Sequence, residues 1–164
     1  MNTGQTLLTI FAMCLLMTVT ANIYRSTAAN GQTILRSKCG LAAISIASSL
    51  IEEAQRKKFD EFTTHDSAAN NISQLTLASS LGKESGETDN LDDFDDYNNY
   101  TRKYFEALPE TIYASCKVSY VNISNPAVVT TTRTWHKLMT VSVTSPSLID
   151  TIKQSFIYSY WYFR

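Results

Sequence analysis

Asp92, Asp93, Asp95, Asp96, Asn98 and Asn99 place six oxygen-bearing side chains within eight positions. Such a density of hard donors is what Ca²⁺ requires, because the ion takes six to eight oxygens and tolerates irregular geometry. The four aspartates are therefore the candidate metal ligands, and Ca²⁺ is the one cofactor they suit. The spacing is not that of an EF-hand, which places glycine sixth and a bidentate glutamate twelfth. Seven acids lie between Glu84 and Asp96, with Lys83 alone to offset them. A charge run of this kind is ordinarily a solvated loop. The expectation carried forward is thus a hydrated connection anchored by Phe94 and Tyr97, with calcium as its alternative.

Other chemistry has little material to work with. His65 and His136 are seventy-one positions apart, and the chain holds no HExxH, GxSxG or phosphate-cradling glycine loop. Each histidine reads as a surface or edge-strand residue. Cys39 and Cys116 have no neighbouring base to activate a thiolate, and Cys14 falls in an apolar run. The three cysteines match no zinc spacing. Cys39 and Cys116 are expected as two unpaired, partly buried thiols, although an oxidising compartment would let them pair. No catalytic residue is assigned, and an enzyme is not expected. Fourteen basic against fifteen acidic residues leave a net charge of −1, which gives no field to attract nucleic acid.

The elements that would position these residues begin with Thr6 to Tyr24, nineteen positions without a charge, proline or glycine. As a helix this run is roughly 28 Å long, close to the thickness of a bilayer's hydrocarbon core. Its flank lacks the basic residues of a secretory signal, so the run is expected to be a retained membrane span. Beyond it, apolar or small residues at Ile34, Leu35, Leu41, Ile44, Ala47, Leu50, Ile51 and Ala54 recur at helical steps. One helix from Thr6 to about Phe59 would be about 80 Å long at 1.5 Å per residue. Gly31 and Gly40 are its weak points, where a bend or local unwinding is expected.

Ile72 to Leu81 reads as a possible short helix. Three later runs, Thr111 to Ile123, Lys137 to Thr144 and Ile152 to Phe163, alternate β-branched or aromatic residues with polar ones. Within Lys137 to Thr144, Met139, Val141 and Val143 share one face. Asn125-Pro126 and Ser145-Pro146 punctuate the gaps, which favours an antiparallel meander lying on the amphipathic part of the helix. The fold class predicted is α+β: a long N-terminal helix, membrane span plus amphipathic half, packed against a small C-terminal antiparallel sheet. The expected segments are 1–4, a short leader; 5–25, the transmembrane half; 26–62, the amphipathic half; 63–110, a connecting region with the acidic loop; and 111–164, the sheet.

Gly4-Gln5 directly before the apolar run resembles the site cut by prepilin peptidase, where a short leader ending in glycine is removed and the hydrophobic helix stays. Ser49 to Gln55 through Phe59-Asp60 resembles the end of the long first helix in pseudopilins and minor pilins. Asp92 to Asn98 resembles an acidic segment between helix and sheet in the same group. In this order, over the whole chain, the sequence resembles type IV pilins and the pseudopilins of type II secretion.

The resemblance implies a structural subunit of a type IV pilus-like or pseudopilus filament. Its partners would be copies of itself or related pilin-like subunits, with prepilin peptidase and the assembly machinery acting on it. It would sit in the bacterial inner membrane as a single-pass protein before becoming part of an extracellular or periplasmic filament. Assembly would run through Leu7, Leu8, Phe11, Leu15 and Val19, with Ala12, Thr18 and Ala21 permitting close helix approach. The family's glutamate five residues into the mature helix corresponds to Thr9, and the residue after the cut is Gln5 rather than phenylalanine. These departures imply a minor or divergent subunit. The alternative reading is a monomeric, membrane-anchored binding or scaffold protein of the cell envelope.

Overall fold

The structure is a computed structural model that describes residues 2–64, 68–84, 91–105 and 110–163, with side chains described as far as 161. The chain divides into two compact units, Met1–Lys38 and Cys39–Arg164. A single α-helix, α1, covers Thr3–Gln55.

In the first unit no described side chain is buried. Leu7, Leu8, Phe11 and Leu15 are 69%, 71%, 69% and 52% exposed. The helix is long and apolar enough near its N-terminus to cross a membrane. Its threonines suit that setting, because each hydroxyl can be satisfied inside the helix. Thr9 Oγ1 donates to the carbonyl of Thr6 at 2.8 Å, Thr18 to Leu15 at 2.8 Å and Thr27 to Ile23 at 2.9 Å. The hydroxyl protons of these threonines are then not stranded in hydrocarbon. The backbone stays α-helical through Gly31 and Gly40, where unwinding was expected.

The second unit contains residues 39–55 of α1, whose buried stripe is Cys39, Ala43, Ala47, Leu50, Ile51 and Ala54. Steps of three and four put these on one face. Three of that stripe are alanines, and beside it Ser48 Oγ reaches Gln154 Oε1 of the sheet at 3.2 Å. The larger Ile34, Leu41 and Ile44, expected with the core, are 55%, 71% and 51% exposed. The helix stops at Gln55, short of Phe59. Arg56 and Lys57 N–H groups donate to Glu53 and Ala54 carbonyls at 3.3 and 3.1 Å, a tightened last turn after which Phe59 enters the core.

Five antiparallel strands follow: β1 (Thr101–Tyr104), β2 (Ile112–Asn122), β3 (Asn125–Thr130), β4 (His136–Thr144) and β5 (Ile152–Ser159). The sheet order is β1-β2-β4-β5, with β3 also pairing β2. β2, β4 and β5 are the three expected strands in the expected meander. β1 and β3 were not expected. Asn125-Pro126, read as a turn, opens β3, where the missing proline N–H does no harm because the strand lies at an edge. Ile72 to Leu81 is no helix beyond a 3₁₀ turn at Ile72–Gln74. Val118 pairs Met139 and Cys116 pairs Val141, which stacks the inward residues of β2 and β4 beneath the helix.

Candidate functional site

Phe59 and Asp60 leave the end of α1, Asp95 and Asp96 follow from the acidic segment, and Lys137 is the second residue of β4. These elements meet in the core. β4 alternates its burial along the strand, and Lys137 shares the inward face with Met139, Val141 and Val143. Its ammonium therefore enters the interior. It is fully buried and donates its three N–H bonds to Phe59 O at 2.8 Å, Asp60 Oδ2 at 2.7 Å and Asp95 Oδ1 at 2.7 Å. The Phe59 ring lies 4.6 Å and the Tyr120 ring 5.5 Å from Nζ. A buried charge survives only when its hydrogen-bonding capacity is met, and here it is.

Asp60 is equally well served. Its carboxylate accepts from Thr76 N–H at 3.1 Å, from Thr76 Oγ1 at 3.1 Å and from Phe62 N–H at 3.3 Å, and the Tyr120 hydroxyl is 3.4 Å away. One aspartate thus joins the helix exit, the 60s turn, the 70s segment and the sheet. A second tie runs from Glu53 on α1: Tyr97 Oη donates to it at 3.0 Å and Arg102 Nη1 at 3.2 Å. Burial, then the Glu53 charge, pushes the Tyr97 hydroxyl pKa up.

The acidic segment is not a solvated loop. Phe94 and Tyr97 anchor it as expected, but Asp93, Asp95 and Asp96 are also buried. A short 3₁₀ turn at Asp95–Tyr97 turns the backbone inward. Asp96 Oδ2 accepts from Asp92 N–H at 2.9 Å, and Asp93 Oδ1 accepts from Asp96 N–H at 3.0 Å. Burial, followed by the charge of Asp95 and a hydrogen bond to it, raises Asp93 to about 10, with Lys137 opposing. Burial and then the charge of Asp96 raise Glu84 to about 8. Asn98 is occupied elsewhere, its Nδ2 donating to Leu81 O at 2.9 Å and its Oδ1 accepting from Val118 N–H at 3.1 Å. Asn99 takes φ 62° and spans to Cys116 O by its N–H at 3.0 Å. Asp92 is half-buried. Among the described residues, no group of three His, Cys, Asp or Glu side chains is placed to hold a metal ion.

The remaining expected residues lie apart from this knot. Gly4, Gln5, Leu7, Leu8, Phe11, Leu15 and Val19 are exposed on α1. His65 lies outside the described residues. His136 is on an interior strand rather than an edge, its Nδ1 2.7 Å from Ser159 Oγ. Cys39 and Cys116 are free and buried. Burial pushes the Cys116 thiol up to about 12. Cys39 donates to Glu110 Oε1 at 3.2 Å, and Glu110 also accepts from Ser145 Oγ and from Ser147 N–H and Oγ at 3.0 and 2.9 Å. Those hydrogen bonds, Ser145's foremost, hold Glu110 down at about 2.

Lys137, Asp60 and Glu53 were missed by sequence reasoning. Lys137 carried a visible signal: it is in phase with Met139, Val141 and Val143, so a charge was already due on the core face. No protein-family model matches the chain, and neither curated proteins nor solved structures give a significant match.

Proposed function

We propose that the chain is a structural subunit of a type IV pilus-like or pseudopilus filament, held first in a membrane and assembled through its apolar N-terminal helix. One observation carries the reading: the span is apolar and its side chains are exposed, while the second unit holds a complete core of its own. A surface of this kind is unfavourable in water, at roughly 25 cal/mol per Å² of apolar area. Lipid removes that cost before assembly and neighbouring helices remove it afterwards. Leu7, Leu8, Phe11, Leu15 and Val19 are the residues that make the helix contacts, and Gly4-Gln5 is the cleavage site.

Minor or divergent status follows from Thr9 standing where the family's glutamate would be. The reading is tested by expressing the full chain in a bacterium with a type IV assembly system. The intact mass of the mature protein should begin at Gln5, and fibres containing the chain should be visible by electron microscopy. A membrane-anchored monomer that keeps residues 1–4 and forms no fibre would overturn it in favour of an envelope scaffold protein.

A further inference from the structure

Lys137 Nζ stands 2.7 Å from each of two carboxylates, at Asp60 Oδ2 and Asp95 Oδ1, and all three side chains are fully buried. The two acids are held differently. Asp60 Oδ1, the oxygen that Lys137 does not touch, accepts from Thr76 N–H at 3.1 Å, from Thr76 Oγ1 at 3.1 Å and from Phe62 N–H at 3.3 Å; the Thr76 N–H is shared with Oδ2. Asp95 has no such cradle. Its Oδ2 is enclosed, and no hydrogen-bond donor among the described residues reaches it. The buried rings of Phe59 and Tyr120 close the space around Nζ at 4.6 and 5.5 Å.

A nucleophile, an electrophile and a proton carrier are thus fixed in contact. In water an amine and a carboxylate stay ionised and do not condense. Holding the two together makes the reaction unimolecular, and well-oriented groups reach effective molarities of about 10⁵–10⁸ M. Burial acts in the same direction, because an ion pair is costly to keep away from solvent and the neutral amine and acid are not. One proton crossing the 2.7 Å contact from Lys137 Nζ to Asp60 Oδ2 produces that neutral pair. The donors on Asp60 Oδ1 are aimed at the atom where negative charge develops once the amine attacks, which is the arrangement of an oxyanion hole.

We propose that Lys137 and Asp60 condense into an intramolecular amide, with Asp95 as the proton carrier. After the first proton has crossed, the Lys137 nitrogen lone pair forms a bond to Asp60 Cγ and the carbonyl electron pair moves onto Oδ1. The nitrogen, now cationic, gives a second proton to Asp95 Oδ1 at 2.7 Å. Asp95 passes that proton to the Asp60 Oδ2 hydroxyl, the Cγ–Oδ2 bond breaks, Oδ1 returns its electron pair to the carbonyl, and one water leaves. Asp95 begins and ends as a carboxylate, and no oxidant or further reactant is needed. Asp60 is the acid that reacts because it has donors for the oxyanion and Asp95 has none. The bond staples the residues just after α1 to β4 across 77 positions of chain, a constraint on the unfolded state like that of a disulfide. It is independent of filament assembly and is read on the dispersed chain.

The test is mass spectrometry of the full chain purified in detergent micelles. The intact protein should be one water lighter than its residues add up to. After trypsin, residues 59–83 should appear joined to residues 134–153, with Lys137 uncut. Lys137→Met removes the nucleophile and should restore the full mass. Asp95→Asn keeps an acceptor for Lys137 but cannot carry the proton, and it should also retain the water. A parent at full mass, a water loss that maps within a single tryptic peptide, or a Lys137→Met chain that still loses water would each overturn the bond. An Asp95→Asn chain dehydrated as completely as the parent would overturn the role given to Asp95. Should either variant fail to fold, the parent decides: the joined peptide supports the bond, and the two peptides found separate and at full mass remove it.

Discussion

Leu7, Phe11 and Leu15 are apolar and lie in the open at 69%, 69% and 52% exposure, whereas Asp93, Asp95 and Asp96 are ionisable and enclosed at 0%, 0% and 1%. Ordinary folding does the reverse, burying grease and leaving charge in water. Both placements are unfavourable for a lone chain, and the two differ in what would relieve them. The apolar stretch needs a large, unspecific area of hydrocarbon, which lipid or sister helices supply. The acids need a few donors or one cation at fixed positions. Extended apolar contact suits polymerisation, in which many copies repeat one contact. A compact charged knot suits stabilisation of a single subunit.

Breaking the first half of this contrast should give the largest effect. Under the proposed function, Leu15→Arg places a charge at the centre of the span, at about 2.5–3.5 kcal/mol by insertion scales. Filaments should be lost entirely by electron microscopy, while the circular dichroism of the sheet is unchanged. Normal fibres would remove the helix from the assembly contact. In the second half, Lys137→Met strips the cation from Asp60 and Asp95 and should cost about 3–5 kcal/mol, since each acid is then buried without its counterion. Urea unfolding of the full chain in detergent measures it. A loss under about 1 kcal/mol would mean that the acids hold protons rather than charge.

The alanine stripe of α1 gives a finer comparison. Ala47→Leu overfills a buried contact and should cost about 1–3 kcal/mol, whereas Leu41→Ala on the exposed side should stay within about 0.5 kcal/mol in the dispersed chain. If Leu41 contacts neighbours in the fibre, the same substitution should thin or shorten filaments without moving the unfolding midpoint.

The smallest expected change is with pH, and its sign differs between two carboxylates. Glu84 stands at about 8 in the fold against an ordinary 4.5, so its contribution is complete below pH 4.5 and is lost as pH rises through 8. Glu110 stands at about 2 against the same 4.5, so its contribution is complete above pH 4.5 and is lost as pH falls toward 2. Unfolding midpoints across pH 2–10 should decline on both sides. In Glu110→Gln the acid-side decline should shrink, and in Glu84→Gln the alkaline one.

Local pattern carried much of the architecture. The apolar run, the helical steps at Ala47, Leu50, Ile51 and Ala54, and the alternation in β2, β4 and β5 each report a face that must be covered. That information lies within a few residues of itself, so it can be read along the chain. β1 and β3 could not be read this way. Thr101–Tyr104 alternates exposed and half-buried positions but is four residues long, too short for a pattern to stand out along the chain, and Asn125–Thr130 is exposed along nearly its whole length and shows no alternation.

The sequence by itself determined that this chain has a membrane-length apolar helix, an amphipathic continuation and an antiparallel sheet, because hydrophobic period is a property of neighbours. Only the tertiary structure decided that the acidic segment lies inside and that Lys137 receives it. Asp60, Asp95 and Lys137 are separated by 35 and 42 positions along the chain, and their charges become partners once the helix exit, the acidic turn and β4 are brought within 2.7 Å. A run of acids has the same composition in water or in a core; the difference is the counter-charge that folding delivers.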